Sequence, residues 1–465
     1  MTLCWIERAP GAPYFVEDNG RSWTPIGQND SIAWFELAGL RGRRDLVAVR
    51  KHFGWLAEHG VTCLRLMLEY AEDGQHFFEQ PAGTYNPILV QLWDDLFELA
   101  ESAGLRILLT PLDTYFQWVR WDQHPYNVAN GGPCVARTQL MTCPATRALI
   151  KRRLAFATRR WGGSGALFAW DLWNEMHPVQ GEDRPDCFAD YIDDVGPFLR
   201  TLEIETHGRA HLQCVSVFGP ELRWKPWLNE AIFRHPALDF ASSHLYAEGT
   251  IDHPQDTVAP AFAVAELVGE ALSEITDGRP FLDTEHGPIH TFKDHRVTLP
   301  EAFDDEYFRH VQWTHVACGA VGGGMRWPNR HPHALTPGMR KAQSVLARLL
   351  PLIEWREFRR EPLGDRLSWT DENVAVFGCG DHRQVLLYAL RTHPLVASGL
   401  IDASVRSTLE ISVAGLGLCK PEVYVHDTVT GFVMPGNRLR QNGRMLTLEI
   451  VNFACECAVI IRSSS

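Results

Sequence analysis

No uninterrupted apolar run in the 465 residues reaches the roughly 18 that a membrane-crossing helix needs, so no membrane span is expected. The N-terminus (MTLCWIERAPGAPYF) lacks a basic stretch followed by an apolar one, so no secretory leader is expected. Lysine and arginine form no run that would make a footprint for nucleic acid. Acidic residues outnumber them 57 to 44, giving a formal charge of −13. That balance argues against anionic polymers as substrates and suits a neutral ligand. The 11 cysteines contain no CxxC pair, and Cys63, Cys214 and Cys318 lie in apolar stretches as small buried hydrophobes. With no leader, a reducing, cytoplasmic setting is the simplest expectation. HExxH is absent, and His331 and His333 with His286 and His290 have no defined ligand spacing; no metal site and no cofactor are expected. No GxSxG marks a nucleophilic serine. The GGG at 322–324 is not followed by GK[ST] and reads as close backbone packing, not a phosphate loop.

What is present is an ordinary globular composition, 45% hydrophobic and 22% charged, with 16 tryptophans. Core packing accounts for about half of these. Trp118, Trp121, Trp224, Trp227 and Trp327 lie in or beside expected loops, where stacking against sugar C–H faces is the sharper reading. From about residue 25 to 350, short apolar runs alternate with amphipathic stretches. Strand candidates fall at 25–29, 61–68, 106–112, 166–173, 211–218, 238–246, 279–285 and 319–327, with helical patterns between them. Eight such units predict a (β/α)8 barrel. An open doubly wound sheet would need a glycine-rich loop after its first strand, and PIGQNDSIAW supplies none. After about residue 353 the pattern changes to short alternating strands with Gly, Asn and Asp turns, which predicts an antiparallel β-sandwich. The expected domains are therefore residues 1–352, a catalytic barrel whose N-terminal hairpin caps its lower end, and residues 353–465, a sandwich.

In such a barrel the reactive groups project from the C-terminal ends of the strands. The fourth predicted strand ends in AWDLWNEMHP, presenting Asn174 and Glu175, and the seventh in FLDTEHG, presenting Glu285. Facing strands would bring the two glutamates across one cleft. A retaining glycosidase needs two carboxyl groups about 5–5.5 Å apart, one attacking the anomeric carbon and the other serving as acid and then base.

These motifs resemble the cellulase- and mannanase-like families of glycoside hydrolase clan A, with glycoside hydrolase family 5 the nearest match. The resemblance covers roughly residues 25–350. It rests on Trp173-Asn174-Glu175 and on TEHG from Thr284 to Gly287, with support from Arg65, His244, Tyr246 and Trp327. It implies that Glu175 is the acid/base and Glu285 the nucleophile. It also implies that Asn174 binds the sugar 2-hydroxyl, that Arg65 and Tyr246 orient the nucleophile, and that Trp327 floors the sugar site. The family commonly has a histidine at the end of strand three. Here that strand reads LLTPLDTYFQW, so Asp113, Tyr115 and Trp118 stand where a sugar contact is expected.

Several residues have a plainer reading beside the functional one. Arg65 can be an ion-pair partner inside the barrel, His244 a hydrogen-bonded barrel residue, and Asp113 a helix cap. Glu221 and Glu248 read as solvated loop charges, and Asp171 as structural. The leading expectation is a retaining β-glycosidase acting on gluco-, manno- or galacto-configured oligosaccharides or glycosides. The long aromatic segment 113–143 favours exo-action by walling off one end. Endo-action on a β-mannan or β-glucan, transglycosylation by the same pair, and a non-catalytic sugar-binding barrel remain alternatives. The sandwich, poor in aromatics, reads as a brace rather than a carbohydrate-binding module.

Overall fold

The computed structural model describes residues 3–71, 77–289 and 298–463. Three short strands, β1 (Ile6–Arg8), β2 (Phe15–Glu17) and β3 (Ser22–Trp23), pair antiparallel at the N-terminus. Phe15 and Trp23 turn onto Phe168, with ring centroids at 5.1 and 4.7 Å, and cover the end where the barrel strands begin.

The barrel strands are β4 (Gly27–Asp30), β5 (Cys63–Met67), β6 (Arg106–Thr110), β7 (Leu167–Asp171), β8 (Leu212–Cys214), β9 (Ala241–Leu245) and β10 (Phe281–His286). Every residue in them is buried, because helices cover the outside and side chains fill the inside. The helices are α1 (Leu46–Glu58), α2 (Pro87–Ala103), α3 (Thr114–Val119), α4 (Pro144–Trp161), α5 (Cys187–His207), α6 (Gly219–Trp224), α7 (Ala259–Glu274), α8 (Glu301–Cys318) and α9 (Pro337–Leu349). Their ends follow local chemistry. The Asp45 carboxylate accepts from Ala48 N to start α1, and Asn86 with Pro87 starts α2, which stops at Gly104 in the left-handed region. Between α6 and β9 the chain makes a 3-10 turn, Pro226–Leu228, followed by a π-helical turn, Glu230–Arg234. None of the helices among the described residues is long and apolar enough to cross a membrane.

Strands β4 to β8 form one parallel ladder and β9 with β10 another. Single bridges make the remaining joints: Phe218 with His244, Gln28 with Arg326, and His286 with Arg326. The expected eighth strand, 319–327, is thus not a regular strand. Its glycines give the reason, since Gly322 and Gly324 have φ of +93° and +73°. A Cβ on Gly322 would lie 2.4 Å from the Pro25 carbonyl oxygen. The segment still bonds both neighbours, Asn29 N to Arg326 O at 2.9 Å and Trp327 N to His286 O at 2.8 Å. The fold is a (β/α)8 barrel completed at its eighth place by isolated bonds.

Beyond residue 353 burial alternates with period two along Ser407–Ala414 and Met445–Phe453. β11 (Glu361–Pro362), β12 (Leu367–Trp369), β13 (Val374–Gly380), β14 (Gln384–Arg391), β15 (Ser407–Ala414), β16 (Pro421–Asp427), β17 (Arg438–Asn442), β18 (Met445–Phe453) and β19 (Glu456–Ser463) form two antiparallel sheets. Their orders are β11-β13-β14-β19-β16 and β12-β15-β18-β17. Leu387, Leu409, Ile411, Leu448 and Val459 are among the residues filling the core between them. The first sheet packs on α8. Arg309 Nε donates to Glu456 Oε1 at 2.6 Å, and Trp313 stacks with Tyr388 at 6.3 Å.

All 11 cysteines are free thiols. Cys63 and Cys214 are buried, whereas Cys318 is only partly so.

Candidate active site

The strand ends opposite the N-terminal strands gather the charged residues. Arg65, the third residue of β5, is fully buried. A guanidinium persists there only if its N–H groups are met by acceptors. Nη1 donates to Asn29 Oδ1 at 2.8 Å and to Glu285 Oε2 at 3.1 Å. Nη2 donates to Asp171 Oδ2 at 2.8 Å, to Ser216 Oγ at 3.3 Å, and to Asn174 Oδ1. Burial opposes its charge, but Asp171 and Glu285 more than offset this, and its pKa is raised.

Glu285 sits just past a register shift between Asp283 and Glu285 in the β9–β10 ladder. Tyr246 donates its hydroxyl hydrogen to Glu285 Oε1 at 2.9 Å, while Arg65 holds Oε2. Both oxygens are therefore fixed. Burial pushes the Glu285 carboxyl above its usual range, with the nearby Glu175 acting in the same sense and His244, Arg65 and Tyr246 pulling against them.

Asn174 and Glu175 follow β7. Asn174 Nδ2 donates to Asp113 Oδ1 at 2.5 Å, and its Oδ1 accepts from Arg65. Glu175 has φ +49°, a left-handed conformation that costs a side-chain-bearing residue about 1–2 kcal/mol. The neighbouring chain sustains it: Glu175 N donates to Ser216 Oγ at 3.2 Å, and Met176 N to Ser216 O at 2.9 Å. His244 stands between the glutamates, its Nδ1 at 2.9 Å from Glu175 Oε1 and 3.8 Å from Glu285 Oε2. Burial works against an imidazolium, but the Glu285 and Glu175 carboxylates outweigh it, and the His244 pKa is raised. One carboxylate oxygen of Glu175 and one of Glu285 lie within 4.8 Å of each other and of the His244 nitrogen.

The structure thus brings together Arg65, Asn174, Glu175, His244, Tyr246 and Glu285. Asp113 lies behind Asn174 and is fully buried, and its carboxylate also caps α3 by accepting from Tyr115 N and Phe116 N. Burial lifts its pKa to about 7. Trp118, on α3, meets His177 edge-on at 4.7 Å and takes Arg137 over its ring at 5.4 Å, so these contacts run along the rim. Trp327 is buried against Trp34, edge to face at 4.9 Å. Trp224 and Trp227 are exposed, and Trp121 is half-buried on His124 at 5.8 Å. Glu221 corrects its reading as a solvated charge: it is buried and lies 3.3 Å from His177 Nε2 and 3.6 Å from Lys225 Nζ. Glu248 is exposed. Asn29, Ser216 and Asp283 escaped the sequence reading. Only the polar ends of GQND and FLDTE and a serine inside an apolar run hint at them.

Among the described residues, two further groups bring three potential ligand atoms within 4.8 Å: Asp283–His286–His315, and Asp30–Glu36–His52. His290 lies outside the described residues.

No family model matches this sequence. No curated protein matches it either. Solved structures do match in fold. A glycoside hydrolase family 5 structure from Bacteroides vulgatus superposes with TM-score 0.66 at 11% identity, over 99% of this chain and 94% of that one. The endo-β-1,4-mannanase from Thermotoga petrophila gives TM-score 0.53 at 13% identity, over 93% and 92%. The exo-β-1,4-mannosidase of an Opitutaceae bacterium gives 0.54 at 16%, over 74% of this chain and 62% of that one. The fold is therefore that of glycoside hydrolase family 5 structures.

Proposed function

We propose that the protein is a retaining β-glycoside hydrolase that cleaves β-linked gluco-, manno- or galacto-configured oligosaccharides or glycosides. One observation carries this reading: two glutamates from opposite walls of the barrel present carboxylate oxygens within 4.8 Å of each other. Retention through a glycosyl-enzyme asks for about 5–5.5 Å between the carboxyl groups, whereas inversion needs roughly 6.5–9.5 Å to admit a water.

The roles follow from the contacts. Glu285, both oxygens held by Tyr246 and Arg65, is the nucleophile. It attacks the anomeric carbon as the bond to the leaving oxygen breaks, and Glu175 gives that oxygen its proton. Glu175 then takes a proton from water, whose oxygen attacks the same carbon and frees Glu285. His244, its Nδ1 2.9 Å from Glu175 Oε1, holds that carboxyl group in place through both steps. Asn174 is fixed on two sides by Asp113 and Arg65 and presents its amide toward the sugar 2-hydroxyl. The β-1,4-mannosidase and β-1,4-mannanase among the structural neighbours put manno-configured substrates first in any trial. Exo-action is supported by the 113–143 segment, whose Trp118 packs on His177 at the rim.

The test is hydrolysis of aryl β-mannoside, β-glucoside and β-galactoside and of short mannan and glucan oligomers by the wild type, Glu175→Ala and Glu285→Ala, with azide added. The expected result is activity on one β-sugar that both substitutions abolish. Azide then yields the β-glycosyl azide from Glu175→Ala and the α-azide from Glu285→Ala. Undiminished hydrolysis by Glu285→Ala without azide would overturn the double displacement. Release of single sugars from oligomer ends supports exo-action, and internal cuts refute it.

A further inference from the structure

Directly beneath the nucleophile lies a buried polar cluster that the reaction as written does not use. The Asp283 carboxylate accepts four hydrogen bonds. Oδ1 takes Glu285 N at 3.1 Å and Leu245 N at 3.2 Å; Oδ2 takes His286 Nδ1 at 3.0 Å and His315 Nε2 at 2.8 Å. Asp283, His286 and His315 are all fully buried. The backbone bonded to Oδ1 is where the β9–β10 register shifts, between Asp283 and Glu285. A register shift leaves amides without ladder partners, and such groups are costly when buried. Here a side-chain carboxylate accepts from an amide of each strand at the shift.

The imidazoles hold that carboxylate in turn. His315 reaches across from α8, and its Nδ1 lies 2.8 Å from its own helix's Val311 O. Both of its ring nitrogens thus face acceptors. His286 is bonded through Nδ1 and follows the nucleophile in sequence, and its backbone oxygen accepts from Trp327 N at 2.8 Å. The eighth segment is moulded around the pair: a Cβ on Gly324 would stand 2.8 Å from the His286 ring and 2.9 Å from that of His315. That contact leaves no slack above the imidazoles.

We propose that Asp283, with His286 and His315, is a positioning unit that sets the nucleophile by fixing the register shift that aims the Glu285 carboxylate at Tyr246 and Arg65. This rests on the reading of Glu285 as nucleophile. Misplacing a reacting atom by about 1 Å can cost around 10²-fold in rate. Loss of the unit is therefore expected to lower kcat by about that factor while KM changes little.

The test compares Asp283→Asn, His315→Phe and His315→Gln. Asp283→Asn keeps the volume but turns an N–H toward donors. His315→Phe removes the ring's donor, and His315→Gln restores one. The expected result is a fall in kcat on the preferred aryl glycoside of about 10²-fold for Asp283→Asn and His315→Phe, with substantial recovery in His315→Gln. A merely structural role would lower melting temperature without this kcat pattern. Crystal structures of the wild type and Asp283→Asn give a readout that needs no activity: the Glu285 carboxylate should leave Tyr246 and Arg65. An unmoved carboxylate, or wild-type kcat in a folded Asp283→Asn, would overturn the proposal. Inactivity of the wild type on every glycoside would overturn the proposed function, while the crystallographic comparison would still judge the positioning unit.

Discussion

Tyr246 donates a hydrogen bond to Glu285 at 2.9 Å while lying fully inside the barrel wall. That bond lowers the Glu285 pKa against the burial that raises it. If Glu285 is the nucleophile as proposed, Tyr246→Phe should move the acid limb of kcat/KM to higher pH, because a carboxylate that loses a donor is protonated earlier as pH falls. The loss of a hydrogen bond to a charged group predicts at least about a tenfold fall in kcat/KM. A pH–rate profile of the two proteins decides it. A limb that stays in place or moves down refutes the role.

Arg65 and Asp171 are wholly shielded from water, and the guanidinium neutralises both Asp171 and Glu285. Arg65→Met should abolish turnover and destabilise the protein by about 3–5 kcal/mol, since it strands two buried carboxylates. Adding Asp171→Asn should restore part of the stability and none of the activity. Urea unfolding of the single and double variants checks the sign of the coupling.

Acid should weaken the fold in two ranges. Burial holds His286 at about 4, below the usual imidazole value, so the stability linked to its neutral form is complete above about 6.5 and is lost as pH falls to 4. Hydrogen bonds from His286 and His315 overcome burial and hold Asp283 at about 2, so its contribution is complete above about 4 and is lost as pH falls through 2. For His286 alone the change amounts to about 3 kcal/mol. Denaturant melts at pH 7, 5 and 4 should show the decline, and His286→Phe should flatten it over the upper range.

Gly324→Ala combines a left-handed backbone with a methyl group pressed into two imidazole rings. It should cost roughly 2–4 kcal/mol and lower kcat as well, because the rings it strikes lie beneath Glu285. Gly417→Ala, where an added Cβ meets nothing within 4 Å, is the control and should leave both unchanged. Equal behaviour of the two would refute the tight fit.

Much of this was legible in the sequence because barrel strands are apolar runs that end in chemistry. AWDLWNE and FLDTE each carry a buried strand straight into a polar end, so Glu175 and Glu285 stood out. Arg65 stood out because an arginine inside CLRLM demands an acceptor. The eighth strand was misread because GAVGGGMRW is apolar enough to look extended, while its positive-φ glycines serve contacts with Pro25 and the imidazoles that only the fold reveals. Glu221 was misread for the same kind of reason: a loop carboxylate is solvated by default, and only its approach to His177 and Lys225 shows otherwise. His315 was invisible as a partner of Asp283, since 32 residues separate them and it lies on a helix whose facing side the sequence alone does not fix.

The helix α8 faces two ways. One side carries His315 beneath Glu285, and another carries Arg309 and Trp313 against Glu456 and Tyr388 of the sandwich. A barrel shorn of the sandwich would keep Glu175 and Glu285, yet it would leave a guanidinium and an indole without their partners on the element that carries His315. The sandwich is thus not freely exchangeable cargo. Its loss or replacement would be felt, through α8 and His315, beneath Glu285.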